Sequence, residues 1–278
     1  MPKNLLIYGG YNWVGFELIQ NLLIENSFKH FVIVDSFQNR LWKDEIKTKF
    51  DEYRYMYNEN IHLYNIDIKD GYKLENIYKK YNITHVINNI KYNMNDEYHE
   101  EKEQGFRNIM QYNISYNVLT YICMYRHITH NTFALNYNIR NNYVNMCKKF
   151  NESIQKINEE EQCRMNIVHI PIYDYVFGFK KDKYNEIVTK YKRIIKTQTP
   201  CRMYKYSCFM QYDQDVINQM LCYLLDLAPV KELKVRKYSY LSLYDTIYFH
   251  VTNDSTYNDN IITHDNDLIN YIKMDMKE

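Results

Sequence analysis

The chain has 278 residues, with 35 basic against 34 acidic side chains and a net charge of +1. That length buries a sizeable core in one large domain, or in a large domain with a smaller lobe, and the near-neutral balance gives no field to draw nucleic acid or an anionic membrane. No apolar run approaches the roughly 20 residues of a membrane span, and MPKNLLIYGG stops too soon for a secretory leader. The expectation is a soluble, intracellular, cytoplasmic protein with neither a nucleic-acid nor a membrane partner.

The six cysteines, Cys123, Cys147, Cys163, Cys201, Cys208 and Cys222, form no CxxC pair, and no histidine stands at zinc-finger spacing from them. No metal site is expected. Tyrosine is the outlier, at 31 against 12 phenylalanines. An AT-rich genome, such as that of a large virus, an organelle or a parasite, inflates Tyr, Asn, Ile and Lys together. The remaining excess suits selection for a ring that buries apolar area yet keeps a hydroxyl partner.

In chain order, NLLIYG is a short buried strand, and FELIQNLLIEN carries Phe16, Leu18, Ile19, Leu22 and Leu23 at helical spacing. HFVIVD is a second strand, HLYNID a third, KLENIYKKY a helix and THVINNI a fourth strand. After the acidic NDEYHEEKEQ, a long helix is expected from Phe106 to Tyr125, then TFALNY as a strand, a helix over 143–160, and MNIVHIPIY as the last strand. This alternation predicts an α/β fold, a Rossmann-like doubly wound parallel sheet. Its strands are expected near 3–8, 30–35, 61–66, 84–89, 131–136 and 165–171. A dinucleotide-binding domain over 1–178 is followed by a small, shortened C-terminal lobe over 179–278, a remnant of a substrate domain interleaved with the main one. The basic run from Lys180 to Lys196 reads as a solvated helix face.

Sheets of this kind bind ligands at the carboxyl ends of their strands. There the first strand runs into Gly9-Gly10-Tyr11-Asn12-Trp13-Val14-Gly15, which holds three of the chain's six glycines. A strand, a glycine turn and a helix let backbone N–H groups approach a pyrophosphate, and the helix N-terminus favours its charge. Asp35 closes the second strand 20 residues after Gly15, where a carboxylate accepts hydrogen bonds from a ribose diol.

The order of features resembles the extended short-chain dehydrogenase/reductases, in their NAD-dependent sugar-nucleotide epimerase and dehydratase branch, over about residues 3–226. Their first turn reads TGGxGFIG. Asp67 in NIDIKD is similar to the aspartate that meets the adenine, and HVINNI to a fourth strand ending His-Leu-Ala-Ala. IVHIPIYDYVFG, with Pro171 and Gly178, resembles the strand ending Arg-Pro-x-x-x-Tyr-Gly, and YKYSCFMQYDQDVINQMLCYLL a late Arg-Asp-Phe-x-x-Val-x-Asp-Val segment. The resemblance implies NAD as cofactor, held by Gly9, Gly10, Asn12, Trp13, Val14, Gly15, Asp35 and Asp67, with a nucleotide sugar as substrate of an active member. It also implies a homo-oligomer built through helices 106–125 and 143–160.

Departures fall on the chemistry. Asn12 replaces the middle glycine; Asn tolerates positive φ, so the turn is expected to form with the side chain crowding the phosphates and NAD binding weak or absent. In the family a Tyr-x-x-x-Lys pair shares one helix face and the lysine lowers the tyrosine's pKa. Tyr143 is followed at that spacing by Cys147, with Lys148 five positions on, a rotation of about 140° against about 40° for four. With a fifth strand ending at Asn136-Tyr137, the Ser or Thr pair and the substrate loop before Tyr143 are also missing. The sequence reading is therefore a catalytically inactive member of this fold with a structural, assembly or interaction role. The alternative is a divergent NAD-dependent sugar-nucleotide epimerase or dehydratase. Self-association rests on the 106–125 helix, where Met110, Ile114, Val118, Tyr121 and Tyr125 lie on one side and Ile109, Tyr112, Tyr116, Leu119 and Cys123 on the other.

Overall fold

The computed structural model describes residues 2–36, 43–56, 60–90, 99–126, 156, 165–172, 175–177, 195–197, 207–227 and 235–239. Two compact units are present, one comprising Met1–Tyr125, Tyr137–Pro171 and Ile217–Val230, the other Arg126–Asn136, Ile172–Val216 and Lys231–Glu278.

The first unit grows from β1 (Lys3–Tyr8), whose Leu5, Leu6, Ile7 and Tyr8 are all buried. Four consecutive buried apolar residues must be covered on both faces, so the strand sits in the middle of a sheet. It is followed by α1 (Trp13–Ile24), β2 (Phe28–Asp35), α2 (Lys43–Met56), β3 (Ile61–Asn65), α3 (Gly71–Tyr81), β4 (His85–Asn88), α4 (His99–Ser115), β5 (Thr120–Arg126) and β6 (Asn166–Ile172). The sheet order is β3-β2-β1-β4-β5-β6. Pairings of β1 with β2, β1 with β4, β2 with β3 and β4 with β5 are parallel. The chain starts centrally, builds outward to β3, then crosses over to β4, and the crevice at that reversal opens beside the carboxyl ends of β1 and β4.

On one face Leu6, Tyr8, Val32, Val34, Val86, Tyr121 and Cys123 pack with Leu74, Ile77 and Tyr78 of α3 and Phe106, Ile109 and Met110 of α4. The α3 residues recur at three and four positions, the stripe a helix needs to cover a sheet, and each fully buried aliphatic side chain is worth about 1.5–3 kcal/mol. Asp70 caps α3 by accepting from the Lys73 N–H, and Asn82, at φ +48, ends it. The tyrosine surplus is partly spent inside: Tyr8, Tyr78 and Tyr121 are fully buried. The Tyr8 hydroxyl donates to Tyr78 (3.1 Å), which donates to Asn113 Oδ1 (2.7 Å).

The second unit contains a three-stranded sheet of β7 (Tyr175–Phe177), β8 (Ser207–Tyr212) and β9 (Val235–Ser239), with β7 and β8 parallel and β8 and β9 antiparallel. The segment DQDVINQMLCYL after β8 forms α5 (Asp213–Leu224), whose residues from Ile217 on belong to the first unit.

Five expected strands fall within two residues of β1, β2, β3, β4 and β6. The fifth does not. The expected helix from Phe106 to Tyr125 is two elements: α4 starts at His99, inside the acidic stretch, and stops at Ser115, and Thr120–Arg126 is β5. The break is Asn117, at φ +54, with the Val118 N–H turned back to the Asn113 carbonyl (2.9 Å). The expected strand at 131–136 and the helix at 143–160, Lys156 apart, lie outside the described residues.

This correction removes the two-faced helix behind self-association. Ile109 is fully buried, and the Tyr112 and Tyr116 rings lie 5.7 and 5.5 Å from Tyr78. Tyr121 and Cys123 are buried in β5. Among the described side chains of α4, Gln104, Arg107, Gln111 and Ser115 face outward.

Candidate functional site

The turn from β1 into α1 lies at the crevice between the carboxyl ends of β1 and β4. Gly9 has φ +64, a region where only glycine is unstrained. A Cβ there would meet the Asn89 carbonyl oxygen at 2.8 Å and Ile90 Cα at 3.0 Å, so the chain leaving β4 lies directly on the turn. Gly15 is required for a different reason: a Cβ would collide with the Gly10 carbonyl, because the first turn of α1 packs on the loop that precedes it. Gly9 N–H donates to the Val34 carbonyl and Asn89 N–H to the Tyr8 carbonyl, both at 2.9 Å, tying the turn to β2 and β4.

Asn12 does not do what its sequence position suggests. Its φ of −154° and ψ of 177° are extended backbone that any residue adopts, so no positive φ is asked of it. Its carboxamide folds back onto the helix end. Oδ1 accepts from the Gly15 N–H at 3.0 Å, and Nδ2 donates to the Gly9 carbonyl at 2.7 Å. Asn89 completes the arrangement, its Nδ2 donating to the Gly9 carbonyl (3.2 Å) and to Asn12 Oδ1 (3.3 Å).

Asp35 reaches the same loop, accepting from the Tyr11 N–H at 3.2 Å, while the Tyr11 ring stacks on the buried Phe50 of α2 at 5.5 Å. The Ile66 N–H donates to the Asp35 carbonyl, bringing the end of β3 alongside. Asp67 follows, about two-fifths exposed, accepting from the Lys69 N–H (3.0 Å) with Lys69 Nζ at 3.7 Å. A carboxylate accepts up to about four hydrogen bonds, so the Lys69 N–H does not exhaust the acceptor capacity of Asp67.

Gly9, Gly10, Asn12, Trp13, Val14, Gly15, Asp35 and Asp67 thus share one edge of the first unit. Tyr143 and Lys148 lie outside the described residues. Asn88 and Asn89 are residues the sequence reading left without a role. Their signal was an asparagine doublet closing a buried strand. Asn88, 1% exposed, donates from Nδ2 to the Tyr121 hydroxyl (3.1 Å) and accepts the Ile90 N–H, which fixes the chain beneath the turn. Burial raises the pKa of both the Tyr8 and the Tyr121 hydroxyl, keeping these neighbours of the turn neutral.

Placing β5 at Thr120–Arg126 removes the strand end at 136 from which the lost loop is read, and the loop's own residues lie outside the described ones. Residues 127–142, with Thr129 and Thr132 among them, now separate the fifth strand from Tyr143. Among the described residues no group of three or more His, Cys, Asp or Glu is arranged to hold a metal, and no helix is long and apolar enough to cross a membrane.

A parallel sheet of order 3-2-1-4-5-6 with a glycine turn at its reversal, an acidic residue closing β2 and another following β3 defines the Rossmann type of fold. Solved sugar-nucleotide epimerases and a dehydratase share this fold over about 90% of the chain. The UDP-glucose 4-epimerase of Thermotoga maritima, solved with UDP-glucose, superposes with a TM-score of 0.64 at 15% identity, covering 91% of this chain and 84% of that one. The Thermus thermophilus UDP-glucose 4-epimerase, solved with NAD, gives 0.65 at 14%, covering 90% and 82%. The dTDP-glucose 4,6-dehydratase of Bacillus anthracis, also with NAD, gives 0.65 at 10%, covering 94% and 84%. No protein-family model and no curated protein matches the sequence. At 10–15% identity the likeness establishes the fold.

Proposed function

We propose that the chain binds NAD(H) at the β1–α1 turn and acts on a nucleotide sugar, in the manner of an epimerase or dehydratase. The carrying observation is the convergence of the turn, Asp35 and the β4 terminus at the sheet's reversal, in a fold whose solved members include NAD complexes. The residues present fit the cofactor: backbone from Gly10 to Gly15 for the pyrophosphate, Asp35 for the adenosine ribose, Asp67 for the adenine. NAD, when bound, supplies a reversible hydride acceptor, which lets a sugar carbinol pass through a ketone. Asp35 sets the choice of cofactor, since its charge opposes the 2′-phosphate of NADP. Thr129 or Thr132 supplies the hydroxyl and Tyr143 the phenol expected of such a site.

One observation favours a second reading, a non-catalytic relative kept for binding or assembly: Cys147 stands where the lysine partner of Tyr143 belongs, and Lys148 is one position late. Calorimetry with NAD+ and NADP+, followed by UDP-glucose turnover with bound NAD+, separates the two. NAD+ binding that is lost in Asp35→Arg, with measurable turnover lost in Tyr143→Phe, supports the enzyme. No turnover on any nucleotide sugar, with or without NAD+ binding, supports the non-catalytic relative, and no binding at millimolar NAD+ contradicts the enzyme.

A further inference from the structure

Resting on the reading of the turn as a dinucleotide site, we propose that Asn12 is a built-in occupant of the pyrophosphate position, latched by Asn89, which a dinucleotide must displace to bind. The first N–H groups of a helix have no acceptor within it. Here the first intrahelical bond runs from Phe16 N–H to the Asn12 carbonyl (2.9 Å), which leaves the amides of Trp13, Val14 and Gly15 to be satisfied from outside. Asn12 Oδ1 takes the Gly15 amide. It thereby plays the part of the phosphate oxygen that the N-terminus of such a helix accepts.

The orientation of the carboxamide is forced. The Gly15 N–H can only donate and the Gly9 carbonyl can only accept, so oxygen must face the helix and nitrogen the turn. With the Asn89 bond added, both acceptor positions of Asn12 Oδ1 are filled, and both Asn89 Nδ2 hydrogens are used. The occupant is nevertheless displaceable. It is neutral, whereas a pyrophosphate is charged, and charge-assisted bonds to N–H groups are roughly twice as strong as neutral ones. Side-chain rotation of Asn12 breaks its bonds to Gly15, Gly9 and Asn89 without moving the backbone of the turn. The consequence is a site that is ordered without ligand and weakened toward dinucleotides, while the adenosine end, held by Asp35 and Asp67, is untouched.

Asn12→Gly removes the occupant at little cost to the helix, since glycine is itself a tolerable cap. NAD+ and ADP-ribose are expected to bind Asn12→Gly about five- to tenfold tighter than wild type, about the net worth of one side-chain hydrogen bond that the ligand no longer has to break. Adenosine, which has no pyrophosphate, is expected to bind both equally. Asn12→Asp keeps the cap and adds a charge, so NAD+ affinity should fall below wild type. A readout free of ligand accompanies these: amide exchange at Gly15, slow in wild type, should accelerate in Asn12→Gly. Unchanged or weaker NAD+ affinity in a folded Asn12→Gly would overturn the proposal and make Asn12 a neutral or direct phosphate contact. Equal gains for adenosine and NAD+ would also overturn it. If neither protein binds NAD+ but Gly15 exchange accelerates as described, the dinucleotide reading fails while the cap itself stands, which separates the two failures.

Discussion

His85 makes the stability of the sheet unit pH-dependent through a single buried group. It lies on β4, 2% exposed, with its Nδ1 2.8 Å from the Thr84 hydroxyl and its ring edge-on to Phe28 at 5.2 Å. Burial, with a smaller contribution from the Lys3 charge opposed by Asp226, lowers its pKa to about 4. The unfolded chain returns it to about 6.5. Between these values the unfolded state binds the proton and the folded state does not, so stability is full above pH 6.5 and falls as the pH drops. At pH 4.5 the loss is about 2.5 kcal/mol, approaching about 3.4 kcal/mol below pH 4. Urea unfolding at pH 7 and 4.5 measures it in wild type and in His85→Gln, which keeps a polar partner for Thr84. Carboxylates such as Asp70 and Glu75, whose pKa values their lysine bonds lower, lose stability in the same direction in both proteins and cancel. The loss should therefore be smaller in the variant by about 2–3 kcal/mol. Equal losses in the two proteins would refute the reasoning.

Gly9→Ala combines a left-handed backbone with a collision against the chain leaving β4, so urea unfolding should show about 2–4 kcal/mol of destabilisation. Tyr78→Phe strands the Tyr8 hydroxyl and the Asn113 carboxamide oxygen and is expected to cost about 1–3 kcal/mol by the same assay. Cys147→Lys restores a lysine four positions after Tyr143 and should raise UDP-glucose turnover, since a positioned acid or base is worth about 10² to 10⁴ in rate; an unchanged rate in a folded, NAD-loaded variant would speak against Tyr143 as the acid. Self-association stands as a proposal on a narrower basis, because the outward side of α4 is polar at Gln104, Arg107, Gln111 and Ser115. Light scattering should show a mass that climbs above 34.2 kDa with concentration, and a monomer mass at every concentration would end the idea.

Local signals explain what was legible. The strands β1 and β4 are apolar runs bounded by glycine or asparagine, β2 is one closed by Asp35, and the turn after β1 concentrates half the chain's glycines, so the order of these strands and the place of the turn follow from the sequence. The region 106–126 misled because Val118, Tyr121 and Tyr125 continue the helical spacing of Met110 and Ile114 by coincidence. The competing signal, Asn117 before the almost unbroken apolar run YICMY, marks a turn and a buried strand, and tertiary burial decides between them. The site's finer structure was not readable at all. Asn12 is held by Asn89, 77 residues away, and no local rule joins two asparagines across that distance. The helix α2 was passed over because its acidic and basic residues hide Phe50, whose buried ring props Tyr11 beside the turn.

The central claim is that a dinucleotide binds along the β1–α1 turn, Asp35 and Asp67. Its most direct test is the map of backbone amide shifts in isotope-labelled protein titrated with NAD+. The account predicts saturable changes concentrated at Gly9–Gly15, Asp35, Asp67–Ile68 and Asn89–Ile90, with the same residues silent toward an equal concentration of UDP-glucose alone. No change at these amides at saturating NAD+, or changes confined to other parts of the chain, would contradict it.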